Sequence, residues 1–275
     1  MGWPVAHSLS PTIQNAALRA TGLDRNWRYQ LLPVPPELFD ATTTALPAAG
    51  FRGVNVTIPH KRAALELALA RERAGDATLT PRARAIGAVN ALVFEPGGRL
   101  LADNTDGPGL VASLRRRLDP RGASALVLGS GGSARAALWG LRDAGVTQLA
   151  VWNRTPARAR ELARELDATV ASDTRLAGEV DILVNCTALG LHGESQLEPL
   201  GLDPGDLRGL RVVVDFVYRA AAATELCAAA RAQGVAAIDG LELLVEQGAI
   251  SFELFTATPP PLEAMRAAVG LCSAA

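Results

Sequence analysis

Lys61 is the single lysine among 27 basic residues; every other one is arginine. Arginine stays charged at any usable pH, whereas lysine can shed its proton and shifts its pKa readily when buried. A position that must give or take a proton would keep lysine where a plain cation would drift to arginine. A coding bias toward arginine could equally leave one lysine behind, and this position alone does not separate the two. Lys61 closes the stretch Asn55-Val56-Thr57-Ile58-Pro59-His60-Lys61. Other polar groups gather near expected element ends. Ser8 and Ser10 flank the start of a helix opened by Pro11, and two hydroxyls beside free N–H groups suit a carboxylate. One helix-capping serine and one bystander is the competing reading. Asn90 follows Gly87-Ala88-Val89, and Asn104, Thr105 and Asp106 end a hairpin.

A second constellation is Gly129-Ser130-Gly131-Gly132-Ser133-Ala134, a G-x-G-x-x-A pattern. It follows an apolar strand and opens a helix, the context in which the pattern binds a dinucleotide. The first glycine permits the tight turn, the second admits a pyrophosphate, and the small third residue lets helix and strand pack. NAD-binding folds usually place a carboxylate about 20 residues further on. Here the next strand ends in Asn153-Arg154-Thr155-Pro156, with Arg158 one turn later. Thr155 is expected to cap the helix, leaving Arg154 and Arg158 to hold a 2′-phosphate. NADP is the expected cofactor.

The elements that would position these groups read as α/β in two parts. Helices are expected over 11–21, 35–50 and 60–73, strands over 26–34 and 51–59, and a hairpin around Pro96-Gly97-Gly98. Beyond residue 106, apolar strands alternate with helices (124–131, 148–154, 180–187, 211–218 and 235–239 as strands), which predicts a doubly wound parallel sheet. Two helices without partner strands close the chain. The domains are expected at 1–106 plus 240–275, and at 107–239. Arg115-Arg116-Arg117 reads as a solvated helix end.

Composition excludes several classes. The chain has 275 residues, 49% hydrophobic and 20% charged, with a net charge of −1. No global field favours nucleic acid or an anionic membrane. Cys186, Cys227 and Cys272 are too scattered for a disulfide framework, and His7, His60 and His192 lack ligand spacing. No metal, no membrane span and no secretory leader are expected, and the default location is the cytoplasm.

Taken in order, "HSLSP", "NVTIPHK", "GAVN", "DNTDG", "GSGGSARA", "NRT", "DFVY" and "DGLELLVEQGA" resemble the shikimate dehydrogenase family from Gly2 to about Pro261. The resemblance implies an N-terminal α/β substrate domain completed by the C-terminal helices and a Rossmann-type NADP domain between. It implies reversible, NADPH-dependent reduction of 3-dehydroshikimate to shikimate in aromatic biosynthesis, by a monomer or homodimer. It implies that Lys61 and Asp106 are the catalytic pair. Ser8 and Ser10 would bind the substrate carboxylate, and Thr57, Asn90, Asp106, Tyr218 and Gln247 the ring hydroxyls. Gly129, Ser130, Gly131, Gly132, Ser133, Asn153, Arg154, Thr155, Arg158, Phe216 and Gly240 would line the cofactor. The sequence departs from the family pattern at Ala91, Ala188, Leu191, Phe255 and Ala257. The short apolar strand that family members carry before Gly2 is missing, so the natural chain is expected to start upstream of Met1. Two other readings stay open. A quinate/shikimate dehydrogenase relative using NAD or NADP is disfavoured by the arginine-bearing segment. A catalytically silent dinucleotide-sensing regulator is disfavoured by the presence of both Lys61 and Asp106.

Overall fold

The structure, a computed structural model, describes residues 1–219 and 222–271; Cys272 lies outside them. The chain divides into two compact units, Met1–Thr105 with Gln247–Ala275, and Asp106–Glu246.

The first unit begins with α1 (Ser10–Ala20), α2 (Phe39–Ala45), β1 (Gly53–Asn55), α3 (Lys61–Arg73), β2 (Ala77–Leu79), α4 (Pro81–Ile86), β3 (Ala91–Phe94) and β4 (Leu100–Asp103). The strands form one sheet in the order β1-β3-β4-β2. The expected hairpin is β3–β4, with Ala91 opposite Asp103. Gly97 and Gly98 turn it with φ of 85° and 86°, a region that side-chain-bearing residues avoid. β1 runs antiparallel to β3, and β2 parallel to β4. Val54, Leu92 and Leu100 on the sheet pack with Phe39, Ala64 and Ala68 from α2 and α3.

Residues 26–34 do not form the expected strand. The Asn15 side chain takes both backbone groups of Tyr29: its Oδ1 accepts from Tyr29 N and its Nδ2 donates to Tyr29 O, each at 2.9 Å. A backbone satisfied by a helix side chain has nothing left at that residue for a strand ladder. Further along, Gly2 N donates to Leu32 O at 3.2 Å and Val34 N to Gly2 O at 3.1 Å. On their other side, residues 1–3 meet the segment after β1, with Met1 N donating to Asn55 O at 2.6 Å and Trp3 N to Ile58 O at 3.0 Å.

The second unit holds α5 (Asp106–Arg115), β5 (Ser124–Leu128), α6 (Gly132–Asp143), β6 (Gln148–Trp152), α7 (Pro156–Glu165), β7 (Thr169–Val170), β8 (Ile182–Asn185), α8 (Leu197–Leu200), β9 (Val212–Asp215), α9 (Glu225–Ala232) and β10 (Ala236–Ile238). The sheet order is β10-β9-β8-β5-β6-β7, and every pair is parallel. The chain runs outward from β5 to β6 and β7, then crosses to β8 on the far side. That reversal opens a crevice at the strand C-termini beside β5, where doubly wound sheets bind ligands. Successive strand residues serve opposite faces. Val127, Val184 and Val214 pack with Leu138 and Leu162, while Leu126, Leu183 and Val213 pack with Leu226.

Two further helices, α10 (Gly240–Thr256) and α11 (Leu262–Ala267), close the chain. The division between units falls inside α10, so its first turns belong to the second unit. The arginines at the end of α5 are exposed, as the sequence suggested, and two of them also pair with carboxylates. Arg117 Nη2 donates to Glu242 Oε1 at 2.9 Å, and Arg116 lies 3.8 Å from Glu246. Both glutamates are buried on α10, and a buried carboxylate demands a cationic partner. No helix among the described residues is long and apolar enough to cross a membrane.

In the second unit, α5 and α6 approach backbone to backbone. A Cβ added at Gly140 would lie 2.8 Å from Gly107 O. Backbone cannot yield as a flexible side chain can, so Gly140→Ala must push the two helices apart. The expected loss is about 1–3 kcal/mol of stability, read as a lower urea midpoint.

Candidate active site

In the first unit, several of the polar residues singled out from sequence bond one another. Neither Ser8 nor Ser10 caps α1; Leu9 stands at the N-cap and makes no side-chain bond. Ser8 Oγ instead donates to Ser10 Oγ at 3.1 Å. Tyr29 Oη donates to Asn55 Oδ1 at 3.0 Å. Asn55 Nδ2 donates to Ser251 Oγ at 2.8 Å and to Asn90 O at 3.3 Å. Ser251 Oγ lies 3.2 Å from Thr105 Oγ1. Thr105 in turn accepts from Asn90 Nδ2 at 3.0 Å and donates to Gln247 Oε1 at 3.3 Å. Burial pushes the Tyr29 phenol above its ordinary range. The connected bonds run from Tyr29, across the end of β1, to α10.

Lys61 begins α3, directly after this region. Its neighbour His60 is buried, bonds Val34 O at 2.8 Å and stacks on Phe39 with ring centroids 4.9 Å apart. The helix start that carries the lysine is thereby anchored in the core. Lys61 itself is half-buried, while Thr57 is exposed and joins none of the bonds above. After β4, Asp103 is buried and takes Thr80 Oγ1 at 2.6 Å, Arg82 Nε at 2.7 Å and Asn104 N at 2.8 Å. These bonds fix the chain direction leading to Thr105 and to Asp106, the buried first residue of α5.

In the second unit, the loop after β5 has the shape its glycines suggested. Gly129 has φ 115°, and a Cβ there would lie 3.1 Å from the backbone of Cys186, the residue after β8. Gly131 caps α6 with no side-chain bond, and a Cβ there would meet nothing within 4 Å. Ser130, Gly132 and Ser133 complete the loop, and Ala134 is fully buried against the strand. Gly131 thus gives the start of α6 no side-chain cap and leaves open space beside it, a setting that suits a phosphate. Gly129 N donates to Trp152 O at 2.8 Å, which sets the loop beside the end of β6. Next along are Asn153, whose Nδ2 donates to Thr155 O at 3.1 Å, and the exposed Arg154 and Arg158. Pro156 opens α7 as expected, but Thr155 makes no side-chain cap. Its N-cap role is filled by geometry alone, and the residue is exposed. Phe216 and Gly240 meet closely: a Cβ at Gly240 would lie 2.6 Å from Phe216 O. Tyr218 is half-buried two residues beyond Phe216. These residues fit a dinucleotide phosphate: an open glycine cradle at a helix start, followed by two exposed cations.

Sequence reasoning missed the centre that holds this sheet edge together. Asp215, fully buried at the end of β9, accepts four hydrogen bonds. They come from Asn185 Nδ2 at 2.9 Å, Val217 N at 3.0 Å, Gln196 Nε2 at 2.8 Å and Thr224 Oγ1 at 2.7 Å. Burial pushes its carboxyl above the ordinary carboxylate range, against the pull of those four donors. Glu225 supports the same region from the start of α9, accepting from Ser195 Oγ at 2.9 Å and Leu197 N at 3.1 Å. Backbone N–H groups of Gln196 and Leu197 hold its carboxyl below the usual range. A carboxylate closing the apolar run Val212-Val213-Val214 was the available signal for Asp215. In the first unit Tyr29 and Ser251 were missed. Tyr29 is one of only two tyrosines in the chain, Tyr218 being the other.

Three family models match the chain: the shikimate dehydrogenase substrate binding domain over residues 1–92, shikimate / quinate 5-dehydrogenase over 113–191, and the shikimate 5'-dehydrogenase C-terminal domain over 240–269. A shikimate dehydrogenase (NADP(+)) of Rhodospirillum rubrum is 45% identical over 282 residues, covering 98% of this chain and 95% of that protein. One of Methylobacterium radiotolerans is 44% identical over 270 residues, covering 94% and 91%. The crystal structure of shikimate 5-dehydrogenase from Thermus thermophilus in complex with NADP(H) and shikimate superposes with a TM-score of 0.85 at 37% identity, covering 98% of this chain and 96% of that one. A two-part α/β chain with an open dinucleotide cradle defines a nicotinamide-dependent oxidoreductase in class. With these likenesses, the chain belongs to the shikimate dehydrogenase family.

Asp215→Ala would leave four donors without their acceptor. The expected cost is about 2–4 kcal/mol in chemical unfolding, since each buried unsatisfied group is expensive and only part is recovered by removing the carboxyl's own burial. Asp215→Asn should recover little, because its amide N–H groups would face other donors.

Proposed function

We propose that this chain is an NADP-dependent shikimate dehydrogenase, catalysing the reversible reduction of 3-dehydroshikimate to shikimate. The observation behind this reading is that one unit holds both the paired hydroxyls of Ser8 and Ser10 and the bonded amides of Asn90 and Gln247, which meet at Thr105. It offers hydroxyls at one end and amides at the other, the pattern that a polyhydroxylated ring acid needs. The relatives named for this activity, and the Thermus structure described with both molecules, support it.

In this reading Ser8 and Ser10 donate to the substrate carboxylate, while Thr57, Asn90, Asp106, Tyr218 and Gln247 bond the ring hydroxyls. Residues Gly129 to Ser133, with Phe216 and Gly240, hold the dinucleotide. Asn153, Arg154, Thr155 and Arg158 receive the adenosine end, the two arginines pairing with the 2′-phosphate. NADPH, when bound, supplies a hydride to the ketone carbon. Lys61, as the ammonium, gives its proton to the carbonyl oxygen, and in the reverse direction the amine takes it back. Asp106 accepts from a ring hydroxyl and completes the catalytic pair. The domain division follows the two units, and a cytoplasmic monomer or homodimer is the expected working form.

Arg154→Ala should raise the KM for NADP about ten- to a hundredfold and leave NAD use little changed, the scale of one charge-assisted bond. Parallel steady-state assays with the two cofactors decide it; equal losses would make Arg154 a structural residue. Lys61→Arg keeps the charge but cannot titrate in the working range. It should lower kcat by about 10²–10⁴ with NADP binding retained. A near-normal kcat would reduce Lys61 to a cation and sink its catalytic role.

A further inference from the structure

A cavity of about 520 Å³ opens in the first unit, apart from the polar residues of the candidate site. It lies further along the same elements. Gln14 and Leu18 follow Ser10 on α1, Phe252 and Phe255 follow Ser251 on α10, and Gly53 precedes Asn55 on β1. Of the residues bonded to one another in that site, only Tyr29 also borders the cavity. The walls are held in place. Asn15 takes both backbone groups of Tyr29, and Gln14 Nε2 donates to Gly248 O at 2.9 Å, tying α1 to α10. Phe51 N donates to Leu46 O at 3.1 Å. The Phe255 ring seats where a side chain at residue 53 would stand, since a Cβ on Gly53 would lie 2.4 Å from it. A cavity of this size with fixed walls is of the kind that takes a small molecule.

The residues around it define the molecule's chemistry. Aromatic residues make up 4% of the chain, yet Trp27, Tyr29, Phe51, Phe252 and Phe255 all border this one cavity. Rings of this kind gain most from another ring, stacked offset or met edge to face. Arg28 and Arg52 border it too, both exposed, and no aspartate or glutamate does. Among the described residues, neither guanidinium is engaged in a hydrogen bond or an ion pair. A guanidinium fork matches a carboxylate with two parallel bonds.

We propose that this cavity binds an aromatic carboxylate, with the ring among Trp27, Phe51 and Phe255 and the carboxylate on Arg28 and Arg52. It is a second ligand site, distinct from the paired hydroxyls of Ser8 and Ser10.

An NMR titration of 3-phenylpropanoate against the full-length chain tests this. It needs no turnover, so its result is independent of the activity proposed above. The acid should bind with a Kd of about a millimolar or tighter. Its neutral amide should bind at least about tenfold more weakly, because the charge-assisted bonds are lost. The acid should lose about the same on a variant carrying Arg28→Gln and Arg52→Gln, two exposed positions where the change leaves the core untouched. The saturated analogue, 3-cyclohexylpropanoate, should bind about threefold more weakly than the aromatic acid. Ser10→Ala should leave the affinity within about twofold, since it lies outside the cavity. No binding up to about 10 mM would overturn the proposal. Equal affinity for acid and amide, equal affinity for the two rings, or full affinity in the arginine variant would do the same. Loss of binding in Ser10→Ala would place the acid at the hydroxyl pair and refute the second site.

Discussion

A single buried carboxylate organises the edge of the parallel sheet. Asp215 ends a strand with no polar surface of its own, yet it collects donors from four places: the end of β8, its own chain two residues on, the 187–196 segment and the start of α9. Each of these pieces would otherwise leave the sheet as a loose loop. Strand C-termini in doubly wound sheets carry the ligand crevice. Holding the loops there with hydrogen bonds rather than apolar contact leaves their outer surfaces polar. The residues implied for the cofactor at 216 and 240 sit on backbone that this carboxylate fixes.

The two units apply one strategy to different sheets. In the first, polar side chains at strand ends bond one another across the sheet and reach α10; in the second, a glycine turn leads into a helix start with no side-chain cap. Side-chain networks suit a small ligand with several hydroxyls, because each hydroxyl needs its own partner. Backbone cradles suit phosphate, whose oxygens accept from any N–H. The sequence shows the same contrast: hydroxyl and amide residues crowd the first hundred positions, glycines the start of α6.

How much could be read beforehand followed from how local each signal was. The glycine loop, the β3–β4 hairpin and the alternation after residue 106 depend on neighbours within a few positions, and they stood in the sequence plainly. Residues 26–34 carry strand-like side chains, but Asn15 overrides them from a helix away in the chain. The arginines at the end of α5 are solvated as they read, but their partner glutamates, Glu242 and Glu246, were not legible because they lie far along the chain, 125 positions on in the case of Arg117. Tyr29 and Ser251 escaped for the same reason: each is ordinary locally and acquires meaning only through Asn55. Thr155 fits the N-cap position by type, yet its hydroxyl makes no capping bond there.

The hydroxyl chain in the first unit is terminated by main-chain carbonyls, those of Asn90 and Gln247. A peptide carbonyl cannot be substituted away, so the polarity of the chain is written into the backbone and is indifferent to drift in the surrounding side chains. Any lineage that keeps this sheet and this helix inherits the direction of the protons before it selects the residues that use it. The fold thus fixes which way those inner protons point, ahead of any choice of catalytic residue.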